Sequence, residues 1–506
     1  MIFSTTRWYK SLEGANLCVR GRSLGSDGND EARRLGIEGQ QVSEFLFEVG
    51  DFSGPSAAEI AAIAQSDSAI EQAAAVRKPR LRIPQRDQVE MHWAALDELL
   101  EPDHPVRTVW AAVCELNLGA WLAEVRAVEG HAGRNATDPR LLLAIWIFAT
   151  LQAEGSARRL EVLCRDHLAY RWLCGGISVN HHLLSDFRSE GGEKWDALLT
   201  QIVASLTARG LVTMHRVAQD GMRVRASAGK SSFRRQRTLQ QCLAEAREQV
   251  ETLKRLADNE PDELNRRQRA ARQRAATERQ QRIEEAVHQC EQLQQQRERR
   301  AKRTCQPAKE ARASTTDPDA RVMKFANGGF GPGYNVQFST DTASGVVVGV
   351  EVTNEGSDGE QLPPMLDQIE QRYQCHPEEA LVDGGFATCE AIADAAENHG
   401  CTVYAPLKDE EQQLADGKDP YAPKRGDAPA VAAWRARMAT ESAKAIYRLR
   451  PQTAEWINAQ CRNRGLWQMP LRGTPKCRVV ALLHAITQNV MQAVKLRTAA
   501  LLPASG

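Results

Sequence analysis

An excess of charge of either sign is missing from this chain: 65 lysines and arginines balance 65 aspartates and glutamates over 506 residues. Taken as an average, that speaks against a polyanionic partner. Also missing are a Cys-x-x-Cys pair and any Cys/His cluster at zinc spacing; the 12 cysteines are scattered. Neither a disulfide framework nor a structural zinc site is indicated, and a reducing cytoplasm is the simplest setting. Long apolar runs are absent too. The longest, Leu141 to Leu151, is too short to cross a bilayer, and Met1 to Leu12 lacks the apolar core of a signal peptide. The expectation is a soluble, cytoplasmic protein with no membrane partner.

What is present is a local imbalance that the average conceals. Residues 1–70 carry 6 Lys/Arg against 10 Asp/Glu, residues 234–303 carry 18 against 12, and residues 440–499 carry 10 against 2. Basic charge is concentrated in two later segments, where a polyanion could be held. The length predicts two to four domains, and a hydrophobic content of 42% suffices for their cores. Residues 1–85, rich in Gly, Ser, Asp and Ala, read as poorly ordered or peripheral.

Residues 86–205 read as helical. Asp138-Pro139 is a helix start, with Leu141, Leu142, Ile145, Trp146 and Ala149 on one face; Ser156 caps a second helix; His167 to Cys174 forms a third, closed by Gly175-Gly176. Asn180 precedes a short helix, His181 to Arg188, with polar groups on its outer side. The succession resembles a helix-turn-helix module, and it equally describes an ordinary helical subdomain. His181 and His182 have no partner ligands at useful spacing and read as surface or packing residues.

From residue 211 to about 500 the pattern is strands, then strands alternating with helices. Strands are expected around Val217 to Ala226, Tyr334 to Thr340, Gly345 to Thr353, Leu381-Val382 and Thr402 to Pro406, with helices over Gly359 to Tyr373 and from Phe386 to Asn398. Three strands, helix, strand, helix, strand, then helices is the order of an α/β ribonuclease-H-like core. Residues 230–321 read as an insertion. Leu239, Leu243, Ala246, Val250, Leu253 and Ala257 recur at four- and three-residue steps, and a second helix runs from about Glu263 to Lys302 after the break at Pro261. This predicts an antiparallel coiled-coil hairpin, whether a basic arm, a dimer contact or a solvated spacer. Residues 303–330 read as a loop, and Gly328 to Gly333 as a flexible turn rather than a phosphate cradle, because it does not open a helix.

Three acids stand out. Asp383 ends a buried apolar run and precedes Gly384-Gly385, glycines that permit backbone conformations closed to other residues. Asp220 follows a strand and precedes Gly221, and Glu455 lies on a helix in the basic C-terminal segment. Two aspartates from neighbouring strands and a glutamate from a helix crossing them can converge on two divalent cations. Hard oxygen donors suit magnesium or manganese, which activate an attacking hydroxyl and stabilise the leaving oxygen of a phosphodiester. Singly, each acid also fits a solvated turn or helix face. The arginines near Glu455 fit a phosphate site and a set of surface ion pairs alike.

Ala218-Gln-Asp220-Gly-Met-Arg-Val-Arg-Ala226, Asn335-Val-Gln337, Val382-Asp383-Gly-Gly-Phe386 and Tyr447-Arg-Leu-Arg-Pro-Gln-Thr-Ala-Glu455 through Asn463-Arg-Gly465 resemble a bacterial insertion-sequence transposase of the DDE superfamily, of the group numbered eleven eighty-two. Tyr170 to Gly176 and Arg478 to Asn489 share the likeness, which runs from about Asp87 to Leu496. The resemblance implies that Asp220, Asp383 and Glu455 are the catalytic, metal-binding triad, with two magnesium or manganese ions. It implies that Tyr447 and Arg450 are the first two members of a Tyr-Arg-Glu-Lys signature that engages DNA, and that Arg223, Arg225 and Arg462 contact DNA as well. Two departures are visible: Glu455 follows Arg450 by five residues instead of four, and Arg462 stands where the signature has lysine, although its planar fork is not equivalent to an ammonium. The implied activity is binding of terminal inverted repeats, strand cleavage and strand transfer into double-stranded target DNA by a dimer or larger synaptic assembly. The rivals are a nuclease that cuts without joining and an inert DNA-binding scaffold.

Overall fold

The computed structural model describes residue 58 and residues 93–128, 135–259 and 266–501. The reading of residues 1–85 as peripheral therefore lies outside the described residues, residue 58 apart. The remainder, from His92 onward, is described as one unit.

Its first part is helical: α1 (Pro105–Cys114), α2 (Gly119–Leu122), α3 (Pro139–Leu151), α4 (Ala157–Asp166), α5 (Leu168–Cys174), α6 (His181–Ser189) and α7 (Gly192–Ala208). The caps are those the residue types dictate. Asp138 Oδ1 accepts from the Arg140 amide at 2.8 Å, Ser156 Oγ from Arg159 at 3.3 Å and Asn180 Oδ1 from Leu183 at 2.8 Å. Gly175 closes α5 at φ 53°, a left-handed conformation that costs glycine little. Two details differ from expectation. Helix α3 is buried nearly all round rather than on one face, because neighbouring helices surround it. Arg188 does not lie on an outer face of α6: it is buried, with its guanidinium 4.0 Å over the Trp146 ring and Nη1 donating to the Gly155 carbonyl at 2.7 Å. His181 pairs with Glu161 at 2.6 Å and packs its ring on His182.

The sheet begins with β1 (Arg216–Arg225). After a two-residue strand, β2 (Phe233–Arg234), come the long helices α8 (Gln236–Asn259) and α9 (Arg266–Thr304). Gln236 bonds to Glu291, Arg247 to Glu284 and Arg279 to Gln249, so the two run antiparallel. Leu239, Ala246 and Val250 are buried on one and Ala276, Ile283, Ala286 and Cys290 on the other. The chain returns through β3 (Ala313–Ser314), which pairs with β2, and β4 (Arg321–Lys324) to β5 (Phe330–Asp341) and β6 (Val347–Thr353).

Residues 303–330 are thus not all loop, and Gly328 to Gly333 is not simply a turn. Gly331 and Gly333 belong to β5 and pair with β4. Glycine is needed at 333 for space: a Cβ there would stand 2.8 Å from both the Phe325 ring and the Val224 carbonyl. Then follow α10 (Leu362–Tyr373), β7 (Glu379–Leu381), α11 (Cys389–His399), β8 (Thr402–Tyr404), α12 (Glu410–Ala415), α13 (Pro429–Met438), α14 (Glu441–Tyr447), a π-helical turn (Pro451–Glu455), α15 (Trp456–Asn463) and α16 (Thr474–Leu501). Helix α11 starts at a Thr388 cap, later than expected, because Phe386 is sunk in the core.

Strand β5 lies between β1 and β6, antiparallel to both, with β4 pairing its first residues. On the other edge of β1, β7 and then β8 add in parallel. This mixed sheet has the α/β ribonuclease-H-like arrangement. The main hydrophobic core runs from Leu100 to Val490, and a second, small cluster gathers Leu239, Ala286, Cys290, Ala311 and Ala313. Helix α16 is its central rod. Thr474–Ala500 is long and apolar enough to cross a membrane, yet 67% of its apolar window is buried inside the molecule, as befits a core helix. Asn489 of α16 accepts from the Val347 amide at 2.8 Å and donates to its carbonyl at 2.7 Å, so a side chain completes the pairing of edge strand β6. Asp196 of α7 receives Arg372 of α10 at 2.5 Å and Arg478 of α16 at 2.6 Å. The eleven cysteines among the described residues are free thiols.

Candidate active site

Register brings two of the acids together. β1 and β7 are parallel with Ala218 opposite Leu381, and Asp220 and Asp383 each stand two residues further along. They therefore reach the same level at the carboxyl edge of β7, where the chain leaves the sheet. The glycines after Asp383 serve space rather than an unusual φ, since neither Gly384 nor Gly385 has a positive φ. A Cβ on Gly385 would sit 2.9 Å from Asp383 Oδ1, the oxygen that accepts from the Gly385 amide at 2.7 Å.

The third acid arrives by a local irregularity. Pro451 has no N–H and its ring crowds the carbonyl four residues back, which opens the helix. The chain continues as a π turn, in which the Trp456 amide reaches the Pro451 carbonyl five residues earlier. The wider turn places residues five apart on one face. Arg450 Nη1 accordingly bonds to Glu455 Oε1 at 3.0 Å despite the extra residue between them.

Arg450 is the centre of the constellation. Its Nη2 lies 3.1 Å from Asp220 Oδ1 and 3.9 Å from Asp383 Oδ2, while Nη1 holds Glu455. One guanidinium thus touches all three acids, drawn from a strand, a strand end and a helix. Burial works against the Arg450 cation, but Asp220 and the other anionic neighbours outweigh it and raise its pKa. Burial pushes the Asp220 carboxyl above the ordinary range; Arg450 and the Gly221 amide oppose that, and Asp383 and Asp358 add to it. Exposure rises from 16% for the Asp220 side chain to 42% for Asp383 and 55% for Glu455, so the site opens on the Glu455 side. Tyr447 is half-buried beside it, and burial raises its phenol pKa.

Two supporting groups escaped the sequence reading. Asn458 stands three residues after Glu455, on the same helix face, and donates to Asp220 Oδ2 at 2.9 Å; its Oδ1 is buried without a partner. Asp358, in the loop before α10, accepts from Asn335 at 2.6 Å, Gln337 at 2.9 Å and Arg223 at 2.8 Å. Asn335 and Gln337 lie opposite Arg223 and Gly221, so strand alternation puts this network on the face of β1 opposite to Asp220. The available signal was a row of polar residues, Asn335, Gln337 and Ser339, in a strand that is buried from Gly331 to Asp341.

Of the expected DNA contacts, Arg450 is engaged by the acids and Arg223 by Asp358. Arg225 is exposed, with its guanidinium 5.6 Å over Phe325, and Arg462 is 5.9 Å over Trp467. Three carboxylates around one cationic group form a hard-oxygen donor set, which suits a magnesium-type ion better than a zinc-type one.

Residues 94–190 match a family described as a transposase domain, and residues 302–465 match one described as the transposase DDE domain. The second match contains Asp383 and Glu455. The chain is a DDE-type transposase. Its enzymatic domain is of the class that cleaves DNA with the help of divalent metal. Asp220 lies between the two matched segments, and the sheet register is what carries it to the other acids. No curated protein and no solved structure matches the transposase significantly.

Proposed function

We propose that this transposase binds the terminal inverted repeats of a bacterial insertion sequence of group eleven eighty-two, cuts at the element's ends and joins the freed 3′-hydroxyl to target DNA. The observation that carries the reading is the reach of Arg450 to Asp220, Asp383 and Glu455 together. Those three residues would hold two magnesium or manganese ions, whose chemistry is to activate the attacking oxygen and to stabilise the leaving one. The chain's own groups do the rest. Asn458 fixes the Asp220 carboxylate, Gly385 fixes that of Asp383, and Arg450 supplies positive charge where acids and phosphate oxygens meet. Tyr447, Arg462, Arg223 and Arg225 are assigned to DNA beside the site.

Residues 86–205 are assigned to end recognition and residues 211–500 to catalysis. The insertion at 230–321 is a coiled-coil hairpin whose arginines serve as a basic arm over DNA. Phosphate contacts from the basic segments make binding salt-dependent. Two ends must be held at once, which calls for a dimer or larger synaptic complex, acting in the cytoplasm on the nucleoid.

The test is a labelled terminal-repeat duplex incubated with protein and Mg²⁺. The expected products are a nick at the element boundary and then a joined strand. In Asp383→Asn, binding by mobility shift stays within about twofold while cleavage falls by roughly a thousandfold or more, the scale on which loss of a transition-state contact is felt. Cleavage that survives in that variant overturns the triad. Products cut and never joined make the protein a nuclease, and binding alone makes it a scaffold.

A further inference from the structure

A second group of metal-ligand side chains lies at the opposite end of β7 from Asp383. Glu370 is on α10, His376 is in the connection from α10 to β7, and His399 is the last residue of α11. One ligand atom from each lies within 4.8 Å of the others. His376 Nε2 is 3.4 Å from Glu370 Oε1, and His399 Nδ1 is 3.7 Å from Glu370 Oε2. Donors bound to one tetrahedral zinc at about 2.0–2.1 Å are separated by roughly 3.3 Å, so small side-chain shifts complete the set.

The His399 imidazole singles this cluster out from surface ion pairs. Its side chain is 4% exposed, and Nδ1 is buried with no hydrogen-bond partner while facing Glu370. Its other nitrogen, Nε2, is turned toward Asp367 Oδ1 at 3.4 Å and Asp394 Oδ2 at 3.9 Å. An imidazole with one nitrogen free toward a carboxylate and a histidine, and the other directed at a second carboxylate, has the layout of a metal-bound histidine with its orienting partner. Two imidazoles and a carboxylate favour a borderline ion such as Zn²⁺ over Mg²⁺. The spacing hides the site in the sequence, because a helix and a strand separate His376 from His399.

We propose that Glu370, His376 and His399 bind one Zn²⁺-class ion, with Asp367 orienting His399, and that this ion ties α10 and α11 to the segment feeding β7. The role is structural: it secures the strand whose far end presents Asp383. The proposal does not rest on the transposition reading, since its readout is binding and thermal stability.

The experiment uses chelator-treated full-length protein titrated with Zn²⁺ alone, followed by calorimetry, thermal unfolding and the visible bands of bound Co²⁺. The expected result is one site, a rise in Tm of several degrees, and no competition from millimolar Mg²⁺. The shift persists in Asp383→Asn and disappears in His376→Ala, whose affinity falls at least roughly tenfold; Asp367→Asn falls by about tenfold. His376 is 43% exposed, so its removal leaves the core intact. Equal stabilisation of wild type and His376→Ala overturns the proposal, as does loss of the shift in Asp383→Asn, which would put the ion at the catalytic acids. No Zn²⁺ binding to wild type leaves the cluster a set of ion pairs and overturns it too.

Discussion

Gly221 shows how narrowly one residue of the site is constrained. A Cβ there would meet Asp358 Oδ1 at 2.4 Å, Gln337 Nε2 at 2.5 Å and Asn335 Oδ1 at 2.9 Å. The conflict is spatial, since Gly221 does not have a positive φ. The polar network of Asp358 presses on β1 from behind, at the residue next to Asp220, the aspartate proposed for catalysis, and so holds it in register. Gly221→Ala is expected to destabilise the protein by about 1–3 kcal/mol, the usual cost of overpacking. Urea unfolding measures that loss, and a smaller one would mean that the network shifts aside freely. Cleavage should fall further than stability explains, because the displaced strand carries Asp220.

The π turn decides whether Glu455 belongs to the site at all. Five residues separate it from Arg450, and on a regular α-helix such a spacing turns two side chains well apart. The widened turn absorbs the additional residue and restores their contact. Gln452 is exposed within that turn. Deleting Gln452 is expected to convert the turn to α-helix, keep Glu455 facing Arg450 and retain cleavage within about tenfold. One alanine inserted after Gln452 should swing Glu455 off by roughly 100° and abolish cleavage with DNA binding intact. Activity in the insertion variant, measured on the same duplex, would separate Glu455 from the chemistry.

Across the whole molecule, α16 joins the helical part to the α/β part, and its interior chemistry limits where the fold is stable. His484 is buried, and burial, with Arg464 adding, pushes its pKa down from 6.5 to about 3. The folded state therefore keeps it neutral. Above pH 6.5 neither folded nor unfolded chain takes up this proton, and the contribution to stability is complete. As pH falls below 6.5 the unfolded chain binds a proton that the fold refuses, and stability is lost by up to about 1.4 kcal/mol per pH unit until pH approaches 3. Urea unfolding between pH 8 and pH 5 should show this decline in wild type and a flatter one in His484→Gln. Equal slopes would mean that His484 finds a proton partner inside the fold.

Much of this organisation was legible locally. Caps at Asp138, Ser156 and Asn180, the left-handed Gly175, the alternating strands and the seam of α8 each follow from neighbours a few residues away, because backbone satisfaction and side-chain periodicity are short-range. The acids Asp220, Asp383 and Glu455 could be named from their settings and from the family likeness. What the sequence could not contain was distance. That Ala218 lies opposite Leu381 and that Asp358 braces β1 from the far face are outcomes of sheet register and packing between segments more than a hundred residues apart, and the π turn that brings Glu455 under Arg450 is a local departure from the regular helix that periodicity alone does not show. Arg188 makes the same point: it reads as a polar group on the outer side of its helix, and it is enclosed because Trp146 and Gly155, more than thirty residues away, close over it. By itself the sequence determined which groups were available for the chemistry. The tertiary structure decided which of them meet, since convergence depends on long-range pairing that no local pattern encodes.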